Sequence, residues 1–303
     1  MTEFTDFQQK LSAFLPDTEI RFEEPLAKHT SFRIGGNAEA MAFPKSTEEL
    51  AQLLKASALL DCKFYILGAG TNVLAPDAGV RGLVVCLKDC LGGMEQLDQT
   101  RIRVMGGVTM ARAAVYAAGL GLSGMEFAHG IPGTIGGGVY MNAGAYGGEI
   151  SQICESVEIM DYDGNVRTVA ATDMDFSYRH SRLEEEKGIV VSADFRLTPK
   201  ASEEIRERMK ELMQKRTASQ PLDLPSAGSA FKRPVGGYAA ALIDQAGLKG
   251  FRVGDAAVSE KHAGFAVNLG DATAEDVKSL LRQVSDKVFA HSGIRIVPEI
   301  RIW

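Results

Sequence analysis

Two stretches of this chain present bare main chain at a density that regular structure tolerates poorly. Residues 130–150, GIPGTIGGGVYMNAGAYGGEI, hold eight glycines and no charge before Glu149. Each glycine inside a regular element costs roughly 0.5–1 kcal/mol relative to alanine, so close approach of a ligand to the backbone is the natural reason for such a run. The other stretch, LGAGTN, follows the strand-like KFYIL at 63–67. The amides of Gly68, Ala69, Gly70, Thr71 and Asn72 suit an anion-binding nest for a pyrophosphate, although a tight turn between strands would use the same residues. The Rossmann fingerprint fails, because Val73 stands where its third glycine belongs and LAPDAGVRG downstream cannot be a helix. A phosphate loop of the G-x-x-x-x-G-K-[ST] kind does not occur. Gly130, Ile131, Pro132, Gly133, Thr134, Ile135, Gly136 and Gly137 are neutral and mostly small, which suits packing against a large aromatic ring. Two such loops on one domain point to a long dinucleotide of flavin type.

Metal and thiol chemistry find little support. Cys62, Cys86, Cys90 and Cys154 form no C-x-x-C pair, and the five histidines never stand at ligand spacing from one another or from a cysteine. Reduced, buried thiols and no metal are expected.

The elements that must position the loops read as follows. Ser46-x-x-Glu49 opens a helix over STEELAQLLKASALL by the capping-box pattern. GVRGLVVCL and RIRVMGG are strands, and TMARAAVYAAGLG is a helix capped by Thr109. CESVEIMDYDGNVRTVAA is a hairpin turning at Asp-Gly, and GIVVSADFRL is another strand. A charged amphipathic helix, SEEIRERMKELMQKR, marks a boundary near residue 200. Beyond it lie the Pro/Ser/Gly loop SQPLDLPSAGS, the helix YAAALIDQAG, the strand HAGFAVN, a long helix over about 272–291 and a final strand, IRIVPEIRIW. Strands and helices mix without strict βαβ alternation, so the class is α+β. At 303 residues the chain is long enough for two domains. Its net charge of −6 argues against nucleic-acid or membrane-surface binding. The polar, acidic start MTEFTDFQQKLSAFL is unlike a signal peptide, and no apolar run reaches a membrane span. A cytoplasmic protein is expected, and a monomer.

Seven ordered motifs, HTSFRIGG, LGAGTNVL, GIPGTIGGGVYMNAGAYG, FSYRHS, PSAGSAFKRP, GLKGFRVGDAAVSEKHAGFAVN and PEIRIW, closely resemble the UDP-N-acetylenolpyruvoylglucosamine reductases, in the shorter of that family's two forms. The resemblance runs from about residue 20 to the end. It implies a FAD-binding domain of the vanillyl-alcohol-oxidase (PCMH) type over 1–200, with its core at about 30–198, and a smaller α+β substrate domain over 205–303. The implied reaction is NADPH-dependent, FAD-mediated reduction of an enolpyruvyl ether on a UDP-sugar, in cell-wall synthesis. FAD diphosphate contacts are implied at Gly68–Asn72 and flavin contacts at 130–137. An alcohol or sugar oxidase on the same scaffold is the rival reading. Many of those proteins hold flavin covalently through a histidine or cysteine at the first loop, and LGAGTNVL has neither, which favours non-covalent FAD.

Three catalytic positions are carried over by motif: Arg179 in YRHS, Ser229 in AGSAF and Glu299 in PEIRIW. Arg179 would grip the substrate carboxylate in bidentate fashion. Ser229 would donate a proton to the enolate carbon, although by residue type alone it reads as a turn residue. Ile294, Ile296, Ile300 and Ile302 would share one strand face, leaving Glu299 on the other with Arg295, Val297 and Arg301. A solvated face and an active-site face fit that alternation equally. Since the substrate carries a diphosphate, Arg216, Lys232 and His262, from three basic clusters in the second half, are the candidate ligands. Two departures from the pattern are Arg233, where many relatives have asparagine, and His180, where others have an acid.

Overall fold

The structure, a computed structural model, describes residues 6–303, and its chain divides into two compact units that are not contiguous in sequence. One comprises residues 1–23, 40–69 and 81–214; the other comprises 24–39, 70–80 and 215–303. A single cut between 200 and 205 follows the linear order of the motifs. Packing instead groups two early segments with the C-terminal residues, and the crossing after Ala69 falls inside LGAGTN.

In the first unit, helices α1 (Asp6–Phe14) and α2 (Thr47–Leu59) bury Leu11, Leu50, Leu53 and Leu54 in one core with Leu83 and Val85. Ser46 caps α2 by accepting from Glu49 N–H, whereas Glu49 itself accepts from Lys45 N–H, one residue before the reciprocal partner of an ideal capping box. The strands Phe64–Leu67 and Val80–Cys86 pair in parallel and belong to a four-stranded sheet completed by Asn37–Phe43 and Glu19–Pro25. KFYIL is less buried than a core strand, with only Leu67 fully inside.

A second, five-stranded sheet is antiparallel in the order Val166–Ala170, Cys154–Met160, Ile189–Arg196, Arg101–Met105, Met94–Gln96. Its central strand is buried from Ile189 to Phe195, and its two internal polar side chains are satisfied. Ser192 Oγ donates to Glu158 at 2.6 Å, and Asp194 accepts a bidentate pair from Arg103 at 2.7 and 2.9 Å. Against this sheet lie α3 (Met110–Gly119) and α4 (Ile135–Tyr140), which share its apolar core through Ala113, Ala117, Ile135 and Val139. The helix α4, only six residues long, lies inside the stretch that reads from sequence as a glycine loop. Its glycine content hides it from propensity, and Thr134 nucleates it by accepting from Gly137 N–H at 3.3 Å. The helix α5 (Ser202–Ser219) begins in this unit and ends in the other.

The second unit is a four-stranded antiparallel sheet, Ser226–Ser229, Phe265–Asn268, Ala256–Val258, Arg252–Val253, which shares one apolar core with α6 (Ala239–Gln245) and α7 (Ala274–Ser292). Thr273 and Asp276 form a reciprocal capping box on α7, and Asp77 adds two acceptors, to Ala274 N–H at 2.7 Å and Glu275 N–H at 3.2 Å. A short parallel pair joins Val73–Leu74 to Arg301–Ile302. The expected continuous strand IRIVPEIRIW is interrupted: Pro298 makes an isolated antiparallel bridge with Phe231, and only Arg301–Ile302 pair as strand. No helix among the described residues is long and apolar enough to cross a membrane.

Candidate active site

The glycine loops meet. A Cβ added at Gly68 would lie 2.7 Å from Thr134 Oγ1, so the two stretches expected to share one dinucleotide touch within the first unit. Gly70 has φ +61, and a side chain there would stand 2.1 Å from the His29 carbonyl, so only glycine fits. Around α4 the glycines divide by direction. Side chains at Gly136 and Gly138 would press on Gly106 and Met110, but at Gly137 a Cβ would meet only Thr134 Oγ1, at 3.6 Å. Gly137 therefore leaves open room beside the main chain. His129 Nδ1, immediately before the loop, is buried with no hydrogen-bond partner among the described residues. Open backbone, touching loops and a buried ring nitrogen fit a flavin dinucleotide.

In the same unit, Arg179 stands on a tight turn. Ser177 and His180 exchange backbone hydrogen bonds of 3.2 Å in both directions, leaving Tyr178 and Arg179 as the turn residues. Arg179 has φ 55, the left-handed region that non-glycine residues rarely adopt. Its Nη1 donates to the Gly144 carbonyl at 3.5 Å. Both flanks of the turn are tied to the end of α4. Asn142 Nδ2 donates to Ser177 O at 3.1 Å, and the fully buried Ser181 donates to Tyr140 O at 2.7 Å. These two residues escape a reading by residue type, since neither carries chemistry of its own.

The second unit collects Ser229, Glu299 and the far half of the first glycine loop. Ser229 is a strand residue rather than a turn residue. Ser226 pairs with Val267 and Ser229 with Phe265, so one extra residue is accommodated between them as a bulge, with Gly228 at φ 73. Bulges of this kind re-aim the next side chain. A Cβ on Gly228 would lie 3.9 Å from the Thr71 carbonyl, which places the bulge beside the loop. Glu299 N–H donates to Ala230 O at 2.9 Å, and Asn72 Nδ2 donates to Glu299 O at 3.4 Å. One residue thus joins the neighbour of Ser229 to the last residue of the glycine loop. Glu299 is 7% exposed, so the solvated-face alternative is excluded. The alternation expected around it fails as well, because Ile302 is exposed while Glu299 and Ile300 are both buried.

Ser31, from HTSFRIGG, was not singled out by its residue type. Its N–H donates to Gly70 O at 3.1 Å and its Oγ to Ser226 O at 2.6 Å, tying the loop to the strand that carries Ser229.

Of the three candidate substrate ligands, Arg216 is buried near the end of α5, while Lys232 and His262 are half-buried. Lys261 Nζ donates to Thr217 O at 2.6 Å, which brings the Arg216 and His262 clusters together. Lys232 N–H donates to Val297 O, two residues from Glu299. Burial lowers the His262 imidazole below its usual pKa, and the nearby charge of Lys249 adds to this. Gly264 N–H donates to His262 Nδ1 at 3.1 Å, and the ring stands edge-on to Phe265, the strand partner of Ser229.

None of the four cysteines is paired in a disulfide. Burial raises the Cys154 thiol to about 12 and the Cys90 thiol to about 11. Against the expectation that no ligand cluster forms, His180, Glu184 and Glu185 come together within ligand reach of one another.

Comparison with known proteins sharpens the assignment. Residues 38–170 match the FAD binding domain family, and residues 220–303 match the family described as UDP-N-acetylenolpyruvoylglucosamine reductase, C-terminal domain. UDP-N-acetylenolpyruvoylglucosamine reductase of Streptococcus pneumoniae (strain JJA) is 42% identical over 97% of this chain and 97% of its own length. The protein of the same name from Agathobacter rectalis is 43% identical over 98% of each. The crystal structure of UDP-N-acetylenolpyruvylglucosamine reductase from Thermus caldophilus superposes with a TM-score of 0.78 at 34% identity, covering 94% of this chain and 98% of that one. A glucooligosaccharide oxidase from Acremonium strictum, at 15% identity and a TM-score of 0.50 over 98% of this chain and 60% of its own, shares the fold alone. With glycine loops that fit a flavin dinucleotide and relatives matched along nearly their whole length, this chain belongs to the UDP-N-acetylenolpyruvoylglucosamine reductase family and is a flavin-dependent oxidoreductase.

Proposed function

We propose that this enzyme uses NADPH and non-covalent FAD to reduce the enolpyruvyl ether of UDP-N-acetylenolpyruvoylglucosamine to UDP-N-acetylmuramate for the cell wall, as a cytoplasmic monomer. FAD would rest on residues within about 30–198, and the UDP-sugar on residues within 205–303. The observation that carries the reading is the hydrogen-bonded run Asn72–Glu299–Ala230, which sets a buried carboxyl and the neighbour of Ser229 beside the loop assigned to the cofactor diphosphate.

FAD, which the two glycine loops would hold, would supply a hydride to the terminal carbon of the enol ether, with electrons drawn from NADPH. The chain's own residues then handle charge and proton. Arg179 holds the substrate carboxylate, where negative charge grows as the double bond is reduced. Ser229, aimed by the bulge, gives its hydroxyl proton to the adjacent carbon. Glu299 faces a conflict, since an ionised carboxylate beside a developing dianion would raise the barrier. The reading therefore gives Glu299 the neutral form, whose carboxyl can donate a hydrogen bond to the enolate. Arg216, Lys232 and His262 are assigned to the UDP-sugar, the cations meeting its diphosphate.

The test separates the half-reactions under anaerobic conditions. NADPH should bleach the yellow protein and the enolpyruvyl UDP-sugar should restore the colour. Ser229→Ala should bleach at the normal rate but recolour about 10²–10⁴-fold more slowly. Recolouring by oxygen and not by the UDP-sugar would overturn the reading in favour of an oxidase. Recolouring of the variant within tenfold of the parent would return Ser229 to a structural role.

A further inference from the structure

The turn that carries Arg179 is held by more than its backbone. A left-handed, non-glycine residue persists only where its surroundings over-determine it, and here side-chain contacts on both flanks do so, beside the bond of Arg179 Nη1 to Gly144 O. Asn142 and Ser181 hold the two flanks from the end of α4, and both are almost wholly buried, so they belong to the core. A further contact differs in kind. His180, the residue that closes the turn, places Nδ1 2.8 Å from Glu184 Oε2 and Nε2 3.7 Å from Glu185 Oε2. Its side chain is about one-quarter exposed, and it lies outside the apolar core of this unit.

Glu184 ends a short 3-10 turn, Arg182–Glu184, that is fastened independently. Arg182 N–H donates to Met174 O at 2.7 Å, and Arg182 Nη1 donates to Asp173 O at 3.0 Å. Glu184 is thus a fixed post and His180 is the strut that reaches it. Because both ring nitrogens face carboxylates, the trio reads as a hydrogen-bonded strut more readily than as a cation site.

The geometry points to His180 as a positioning residue for Arg179: its ring, anchored on Glu184, holds the Arg179 backbone in the left-handed conformation that aims the guanidinium. This rests on the role given to Arg179 above. A guanidinium must meet a carboxylate within a few tenths of an ångström to keep both hydrogen bonds, and misplacement by about 1 Å can cost 10²-fold in rate. Without the strut, the turn can relax toward an ordinary right-handed conformation, and the fork loses its aim.

The experiment compares His180→Ala, His180→Asn, Arg179→Lys and the double variant His180→Ala/Arg179→Lys, each loaded with FAD. Flavin reduction by NADPH, recolouring by the enolpyruvyl UDP-sugar, and melting temperature are measured for each. His180→Ala is expected to slow recolouring about 10- to 100-fold, with bleaching and melting little changed. His180→Asn, which keeps a donor near the Nδ1 position, should recover most of the loss. In the Arg179→Lys background, His180→Ala should add almost nothing, because it acts through Arg179. The proposal is overturned if the two losses multiply, if Asn is as slow as Ala, or if bleaching and melting fall together with recolouring. If Arg179→Lys itself recolours normally, the role of Arg179 fails; if Arg179→Lys is slow and His180→Ala is not, only the strut fails.

Discussion

Glu299 concentrates the chemical question, because its charge state decides its sign of action. If it works as a neutral donor, Glu299→Gln keeps a hydrogen-bond donor and retains most of the substrate half-reaction, whereas Glu299→Ala loses it. Gln and Ala variants equally slow would remove Glu299 from the donor role. His262 makes a prediction of another kind. Its imidazole is held below the ordinary value by burial, so the unfolded chain takes up a proton as pH falls below about 6.5 while the folded chain resists it. Stability should therefore be full above that pH and decline on the acid side. His262→Asn, which keeps an acceptor for Gly264 N–H, should flatten the decline in urea midpoints between pH 5.5 and 7.5. An unchanged slope would assign the acid sensitivity elsewhere.

Elements were legible where a local rule was sufficient. Thr109 and Ser46 cap their helices as their spacing predicts, and the Asp163-Gly164 turn joins an antiparallel hairpin, with Gly164 at φ 86. Illegible were features fixed by distant partners. The helix α4 is glycine-rich and reads as loop, yet it is held by core contacts of Ile135 and Val139. Ser229 reads as a turn because the bulge needs a glycine, and only its pairing with Phe265 reveals a strand. Glu299 reads as half of an alternating face until Pro298 interrupts the pattern. The three positions proposed as catalytic come from ordered motifs, not from periodicity. Contacts such as Ser31 to Ser226, spanning 195 positions, leave no local trace. One such contact is testable on stability. Asp77→Ala removes two acceptors from the N-terminus of α7, and should destabilise by about 1–2 kcal/mol, with Asp77→Asn losing less. Unchanged urea midpoints in both variants would mean that water replaces the cap without loss.

For the molecule as a whole, cofactor and stability are linked, since anything that binds only the folded chain stabilises it by mass action. Protein stripped of FAD should melt at a lower temperature, and added FAD should raise the midpoint in proportion to the logarithm of its concentration, by about 2.7 kcal/mol at a hundredfold excess over Kd. A melting temperature indifferent to FAD would contradict binding to the native state. The discontinuous second unit carries one more consequence, which concerns time. Its residues 24–39 and 70–80 are synthesised early, but the sheet and the helices α6 and α7 that they join are encoded after residue 214. On a ribosome adding about 5–20 residues per second, those early segments wait roughly 10–55 s for their partners. Phe32, Ile34 and Leu74, all bound for that late core, spend the interval without it. Those apolar side chains therefore stay uncovered during synthesis until the later residues fold onto them, and Arg301–Ile302, made long after Val73–Leu74, closes on it.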